Sequence, residues 1–307
     1  MRPNLLHVIA VSFNPRRFKS HVNNYAAFEK HMLESGVHLT VVECAYGDIP
    51  HQFANNDGIN HVPVYAKNPI WVKENAINLG IASLPRDWKY VAWIDADVVF
   101  ENPNWAEDTV YALQHYDFVQ PWEHCLDLGP SGSILEMHHS FCRQWAQEPK
   151  TCSMLGKSGY RFAHPGYAWA ATRSALEATG GLIQTAVLGS GDHHQALCLI
   201  GKAELSFPKG VTEGYKAPIL RWQDRCNKHI NGNISYVPGT IRHLYHGQKR
   251  DRAYQSRWDI LVKHKFDPYE DLKTNTSGIY ELVGNKPELK RDIMSYFSSR
   301  QEDWTLL

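Results

Sequence analysis

Two carboxylates one residue apart, Asp95 and Asp97, follow directly on the apolar run Tyr90-Val91-Ala92-Trp93-Ile94. Acids this close repel one another unless a cation lies between them, and hard oxygen ligands suit Mg²⁺ or Mn²⁺. A cation so held commonly bridges the phosphates of a nucleotide, where it neutralises charge on a departing diphosphate. The plain alternative is a solvated turn that caps the helix near Asn104, because Asp-x-Asp alone is a weak signal. Position favours chemistry: in an open α/β sheet, ligands bind outside the carboxyl ends of the strands.

That position needs a strand ending at Ile94 and a sheet around it. Leu5 to Val11 is apolar without a helical period and reads as a buried parallel strand, closed by Ser12-Phe13-Asn14-Pro15. A helix is predicted over about 20–35, ended by Gly36, then a strand from Val37 to Glu43 and a loop from Ala45. Asn68-Pro69 reads as a helix start, with the helix running through WVKENAINLGIASL to near Pro85. Strand 89–94, the acidic turn, a helix around 104–115 and a strand at 117–120 follow. Alternating strand and helix predicts a parallel sheet covered on both faces. Residues 121–160, rich in aromatics, His, Gly and Pro, read as irregular functional loops. Regular structure resumes over 161–200, with a strand from Tyr167 to Thr172 and helices on either side of Gly180-Gly181.

At 307 residues and 43% hydrophobic, the chain can bury a substantial core. A formal net charge of zero, without a long run of Lys or Arg, argues against a non-specific nucleic-acid binder. The six cysteines form no CxxC pair and read as reduced, scattered residues. The apolar stretch near the N-terminus, interrupted by His7, is too short for a membrane span and lacks a cleavage pattern. No other segment reaches that length. A cytoplasmic protein is expected, with the Asn233 and Asn275 sequons as chance matches.

Trp71-Val72-Lys73-Glu74-Asn75-Ala76-Ile77-Asn78-Leu79-Gly80, followed by the strand and Asp95-Ala96-Asp97, resembles the nucleotide-sugar glycosyltransferases of the GT-A fold. The resemblance implies that Lys73 and Asn78 sit on a helix facing the nucleotide, Glu74 sharing a face with Asn78. It implies that Asp95 and Ala96 contact the donor, that Asp95 and Asp97 hold the metal, and that Ser12 and Glu43 lie where this fold binds base and ribose.

A second block runs from His164 to Arg173, through Ala178-Thr179-Gly180-Gly181-Leu182, to Gly189-Ser190-Gly191-Asp192-His193-His194. It is similar to the catalytic domains of β-1,4-galactosyltransferases and polypeptide N-acetylgalactosaminyltransferases. There the likeness implies that the stretch from Gly166 to Ala170 lines the donor sugar. It also implies that Asp192 opens the acceptor-side helix as general base on an acceptor hydroxyl. Gly-Asp-His-His stands where those families carry Gly-Glu-Asp or Gly-Glu-Asn, which leaves inversion or retention open. His193 and His194 are expected to be supporting or surface residues. The third match, Tyr236 to Lys249, implies a histidine completing the metal site; His243 and His246 both fit. Lys249 or Arg250 would offset phosphate charge, and a nitrogen ligand favours Mn²⁺ over Mg²⁺.

The ordered set spans roughly residues 65–250. It implies a GT-A-like, Rossmann-related α/β fold: a mixed, mostly parallel sheet flanked by helices. Residues 1–250 would form the glycosyltransferase domain, with a nucleotide-binding part over about 1–120 and an acceptor part over about 121–250. Residues 251–307 would be a C-terminal helical extension packed on it. The implied activity is metal-dependent transfer of a hexosyl or pentosyl group from a UDP-linked sugar to an acceptor hydroxyl. The acceptor is open among glycan, protein, small molecule and modified DNA; compact phage and bacterial glycosyltransferases, which the chain also resembles, bring in hydroxymethylated bases of phage DNA. Nucleotidyl transfer and non-catalytic nucleotide-sugar binding are the alternatives. Arg221 to Arg225, with Trp122, Glu123 and His124, form a candidate acceptor surface without a catalytic role, core contacts being the commoner use of tryptophan.

Overall fold

Alternate residues of the first strand feed two different cores, and this decides the architecture. Leu6, Val8 and Ala10 join one apolar cluster while Ile9 joins another; the same division separates Val41 from Val42, and Ala92 and Ile94 from Val91 and Trp93. Successive strand residues point to opposite faces, so a strand apolar throughout must be covered on both sides.

The structure, a computed structural model, describes residues 5–53, 58–147, 163–248, 252 and 256–303. Its first half runs β1 (Leu6–Phe13), α1 (Lys19–Glu34), β2 (His38–Tyr46), β3 (Ile59–Ala66), α2 (Lys73–Ala82), β4 (Tyr90–Ile94), β5 (Val98–Phe100), α3 (Trp105–Ala112) and β6 (Phe118–Gln120). Then come β7 (His124–Leu128), β8 (Ile134–His139), α4 (Phe141–Gln147), β9 (Ala168–Thr172), α5 (Arg173–Thr179), α6 (Gly191–Leu199), α7 (Glu213–His229), β10 (Ile234–Tyr236) and β11 (Thr240–His243). The last stretch holds α8 (Arg257–Lys263), α9 (Pro268–Asp271), β12 (Leu272–Thr274), β13 (Tyr280–Leu282) and α10 (Pro287–Ser299).

The main sheet has the order β10-β6-β9-β4-β1-β2-β3. It is mixed and mostly parallel: β9 alone runs antiparallel to its neighbours β4 and β6. From β1 the chain proceeds outward to β2 and β3, and β4 returns to β1's other side. That reversal opens a crevice at the carboxyl ends of β1 and β4. A second, four-stranded sheet, β5-β11-β7-β8, stands beside it. Gly36 follows α1 at φ 67°, the left-handed conformation a helix terminator requires.

Several expectations change. The helix expected from Pro69 starts at Lys73, because Ile70 and Val72 are buried and the Trp71 N–H donates to the Val187 carbonyl at 2.8 Å. Strand β3 was not expected; its alternating exposure suits an edge strand, and INHVPVYA carries a proline that lowers strand propensity. The stretch 121–160, expected to be irregular, contains the β7–β8 hairpin and α4 among its described residues. The stretch expected to be helical beyond 251 also forms the β12–β13 hairpin. The five described cysteines, Cys44, Cys125, Cys142, Cys198 and Cys226, are free and buried; Cys152 lies outside the described residues. No helix among the described residues is long and apolar enough to cross a membrane.

Candidate active site

The acidic turn opens into a cavity of about 450 Å³ at the carboxyl ends of β1 and β4, within the size range of small-molecule sites. The turn is held from both sides. The Asp95 N–H donates to the Tyr167 carbonyl at 2.8 Å, and the Asp97 carbonyl accepts from the Leu244 N–H at 2.8 Å. Antiparallel pairing of β5 with β11 sets His243 opposite Val98, and so beside Asp97.

Around Asp97 the side chains converge. Its Oδ2 lies 3.0 Å from His246 Nε2 and 3.6 Å from His243 Nε2, and the two Nε2 atoms are 3.2 Å apart. Each imidazole is oriented by a carboxylate on its other nitrogen. His243 Nδ1 donates to Asp127 Oδ1 at 2.8 Å, and His246 Nδ1 donates to Glu302 Oε2 at 3.0 Å. Carboxylate-held imidazoles of this kind are what histidine metal ligands require. In neutral histidines so held, both Nε2 atoms present lone pairs to a carboxylate, an arrangement that demands a positive charge.

Further observations fit that demand. Asp97 Oδ1 is buried and has no hydrogen-bond partner among the described residues. Arg252 donates from its guanidinium to His246 Nε2 at 2.8 Å. Burial would lower the pKa of His243, but Asp97 and Asp127 raise it to about 10, so a proton resides there when no cation does. Burial likewise works against ionisation of Asp97, yet His243 and His246 hold that carboxyl well below the usual range. One carboxylate and two imidazoles suit Mn²⁺ or another divalent ion of intermediate softness; Asp97, His243 and His246 form one of three groups among the described residues whose ligand atoms lie close enough together to share an ion.

Asp95, expected beside Asp97 as a metal ligand, is engaged by a lysine among the described residues. It pairs with Lys73 at the start of α2. Burial opposes the charge on Lys73, but Asp95, Asp192 and Glu74 around it raise its pKa, so it stays cationic. Burial pushes the neighbouring Glu74 carboxyl up to about 7, Lys73 opposing and Asp192 adding. Asp192, in the first turn of α6, accepts from the His193 N–H at 2.8 Å through Oδ1. Its Oδ2 hangs over Gly166, where a β-carbon would come within 2.8 Å of it. The preceding Ser190 takes a left-handed φ of 71°, and buried Arg257 donates to its hydroxyl at 2.6 Å. Strain of this type persists where surrounding contacts over-determine it.

No protein-family model and no curated protein sequence matches the chain. Among solved structures, the chain is similar to a point variant of Drosophila β-1,4-galactosyltransferase 7 in complex with manganese, UDP-Gal and xylobiose, at 12% identity and TM-score 0.44, covering 92% of this chain and 98% of that one. It is also similar to glucosyl-3-phosphoglycerate synthase from Mycobacterium tuberculosis with Mn²⁺, UDP and phosphoglyceric acid, at 14% identity and TM-score 0.37, covering 85% and 75%. A third is S. aureus TarS 1–349, at 10% identity and TM-score 0.35, covering 74% and 73%.

Of the residues expected at a donor site, Ser12, Lys73, Asp95, Ala96, Asp97, Gly166, Asp192, His243 and His246 all line the cavity. Asn78 is not among the lining residues. Both its amide atoms are engaged by Leu182, donating to the carbonyl at 3.1 Å and accepting from the N–H at 2.9 Å. Glu43 is buried and is not among the lining residues; it accepts from the Gln52 and Phe53 N–H groups and faces His61 at 3.0 Å. It thereby shapes the loop that stacks Phe53 on Tyr25. Lys249 and Arg250 lie outside the described residues.

The candidate acceptor surface does not form as expected. Trp122 and Trp222 are core residues, donating to the Ala168 carbonyl at 3.2 Å and the Gly181 carbonyl at 2.7 Å. His194 is also core, between Ser206 and Tyr215. Sequence reasoning missed Asp127, although it shares the inward side of β7 with Cys125, a readable alternation. It also missed Glu302, Arg252, Arg257 and Arg300, which line the cavity from the segment expected merely to pack on the domain. No local pattern marks these.

Proposed function

We propose that the protein is a metal-dependent glycosyltransferase of GT-A type, moving a sugar from a nucleoside diphosphate sugar to an acceptor hydroxyl. The observation that carries this reading is the convergence on one cavity of a group able to hold a cation, Asp97 with His243 and His246, and a separate carboxylate, Asp192. Asp97, His243 and His246 would hold the divalent cation, which when bound supplies Lewis-acid charge to a diphosphate leaving group. Lys73, cationic beside Asp95, adds a fixed positive charge to the same wall. Asp192 accepts the proton of the acceptor hydroxyl; its Oδ1 is held by the His193 N–H, which leaves Oδ2 toward Gly166 to take it. Uridine is the first base to try.

Calorimetric titration of UDP and UDP-sugars, with Mn²⁺ and with EDTA, tests the donor site on the wild type and on Asp97→Asn. Binding that needs Mn²⁺ and disappears in the variant is expected; metal-independent binding in both would remove the cation from the reading. Asp192→Asn should bind donor normally and lose turnover by about 10²–10⁴-fold; unchanged turnover would remove the base assignment. NMR of the products separates the reactions, since glycosyl transfer or slow donor hydrolysis releases UDP whereas nucleotidyl transfer leaves the sugar phosphorylated.

A further inference from the structure

The segment from Arg300 to Asp303 reaches the cation site and ties it to a distant helix. Glu302 is buried; its Oε2 accepts from His246 Nδ1 at 3.0 Å and contacts His21 Nε2, while Oε1 lies 2.6 Å from the Arg300 guanidinium. Next to it, the Asp303 carboxylate accepts from the Lys19 N–H at 2.9 Å and the Ser20 N–H at 2.8 Å. These amides open α1, whose own N-cap position is Phe18 and makes no side-chain cap. The helix therefore borrows its cap from this segment.

The approach is shaped for the segment. Gly247, at φ +91°, lies where a β-carbon would stand 2.5 Å from the Gln301 carbonyl oxygen and 2.8 Å from the Glu302 α-carbon. Only glycine lets the chain pass there. The neighbouring Arg300 guanidinium rests 5.3 Å from the centroid of the Trp71 ring, on the cavity wall.

We infer that segment 300–303 is a positioning device whose seating assembles the cation site. Seated, Glu302 binds the Nδ1–H of His246 and so directs the Nε2 lone pair toward Asp97 and His243. Cation binding and seating of the segment are then coupled, each favouring the other by the same factor. This rests on the metal reading proposed above. Glu302 acts through His246 and is not itself a ligand.

Mn²⁺ alone, titrated by calorimetry and by the EPR signal of the free ion, is the probe. Glu302→Gln, an isosteric change, should weaken Mn²⁺ by about 10–100-fold, and Gly247→Ala should do the same without altering any ligand or Glu302. Hydrogen exchange at the Lys19 and Ser20 amides is a readout independent of affinity. Saturating Mn²⁺ should slow it in the wild type and leave it unchanged in Glu302→Gln. His21→Ala, which removes one contact of Glu302 but no ligand of the proposed site, should weaken Mn²⁺ less than Glu302→Gln does. Wild-type affinity in both Glu302→Gln and Gly247→Ala would overturn the coupling while sparing the metal site. Loss of binding in His21→Ala with retention in Asp97→Asn would overturn it differently, by placing the ion on His21, His246 and Glu302. If the wild type binds no Mn²⁺, the metal reading fails and the positioning role with it.

Discussion

Glu74 shows how one residue can carry the electrostatics of the site into stability. Its carboxyl, ordinarily near 4.5, is pushed up to about 7 by burial, with Lys73 opposing and Asp192 adding. Between those two values the native chain holds a proton that the unfolded chain lacks. Stability should therefore fall as pH rises through that window, then level off above it. The full effect is about 3 kcal/mol. Urea unfolding at about pH 5 and about pH 8 measures it. Glu74→Gln should flatten the dependence, whereas an unchanged slope would assign the proton elsewhere.

At the scale of elements, α2 does two jobs with two faces. Its first turn carries Lys73 and Glu74 to the cavity. Farther along, Gly80 packs so closely on the sheet that a β-carbon would meet Ile9 at 2.7 Å. Between them, Asn78 latches the turn after α5 through Leu182, a pairing that fills both ends of its amide. Asn78→Ala should cost about 1–3 kcal/mol by leaving backbone groups unpaired, with nucleotide affinity unchanged. Thermal unfolding and calorimetry on the same variant decide this. Lost affinity without lost stability would return Asn78 to the donor site.

At the scale of the molecule, the proposed cation site draws on β4, β11 and the segment after α10, so its occupancy should report on global unfolding. Free Mn²⁺ at about 100 times its dissociation constant should add about 2.7 kcal/mol. For a chain of this length that raises Tm by roughly 4 °C. Differential scanning calorimetry should show the rise in the wild type and none in Asp97→Asn. An equal rise in both would place the stabilising ion away from Asp97.

Local pattern was enough to read the strand that ends at Ile94, the acidic pair beyond it, the helix stop at Gly36 and the alternation of strand and helix. Each is a statement about neighbours in the chain, where apolar runs, turn residues and backbone freedom act directly. His243 and His246 were legible as candidates, but their role depends on β5 pairing with β11 in the register that sets His243 opposite Val98. Asn78 and Trp222 stay ambiguous in the sequence for the converse reason: a polar amide or an aromatic face has the same identity in a binding site and in a latch or a core. Only tertiary contacts distinguish the two, by showing where each polar atom finds its partner. Glu302 is the extreme case. Nothing near it in the chain marks it, and its place beside His246 follows from the path of the segment past Gly247, a long-range packing that no local preference encodes.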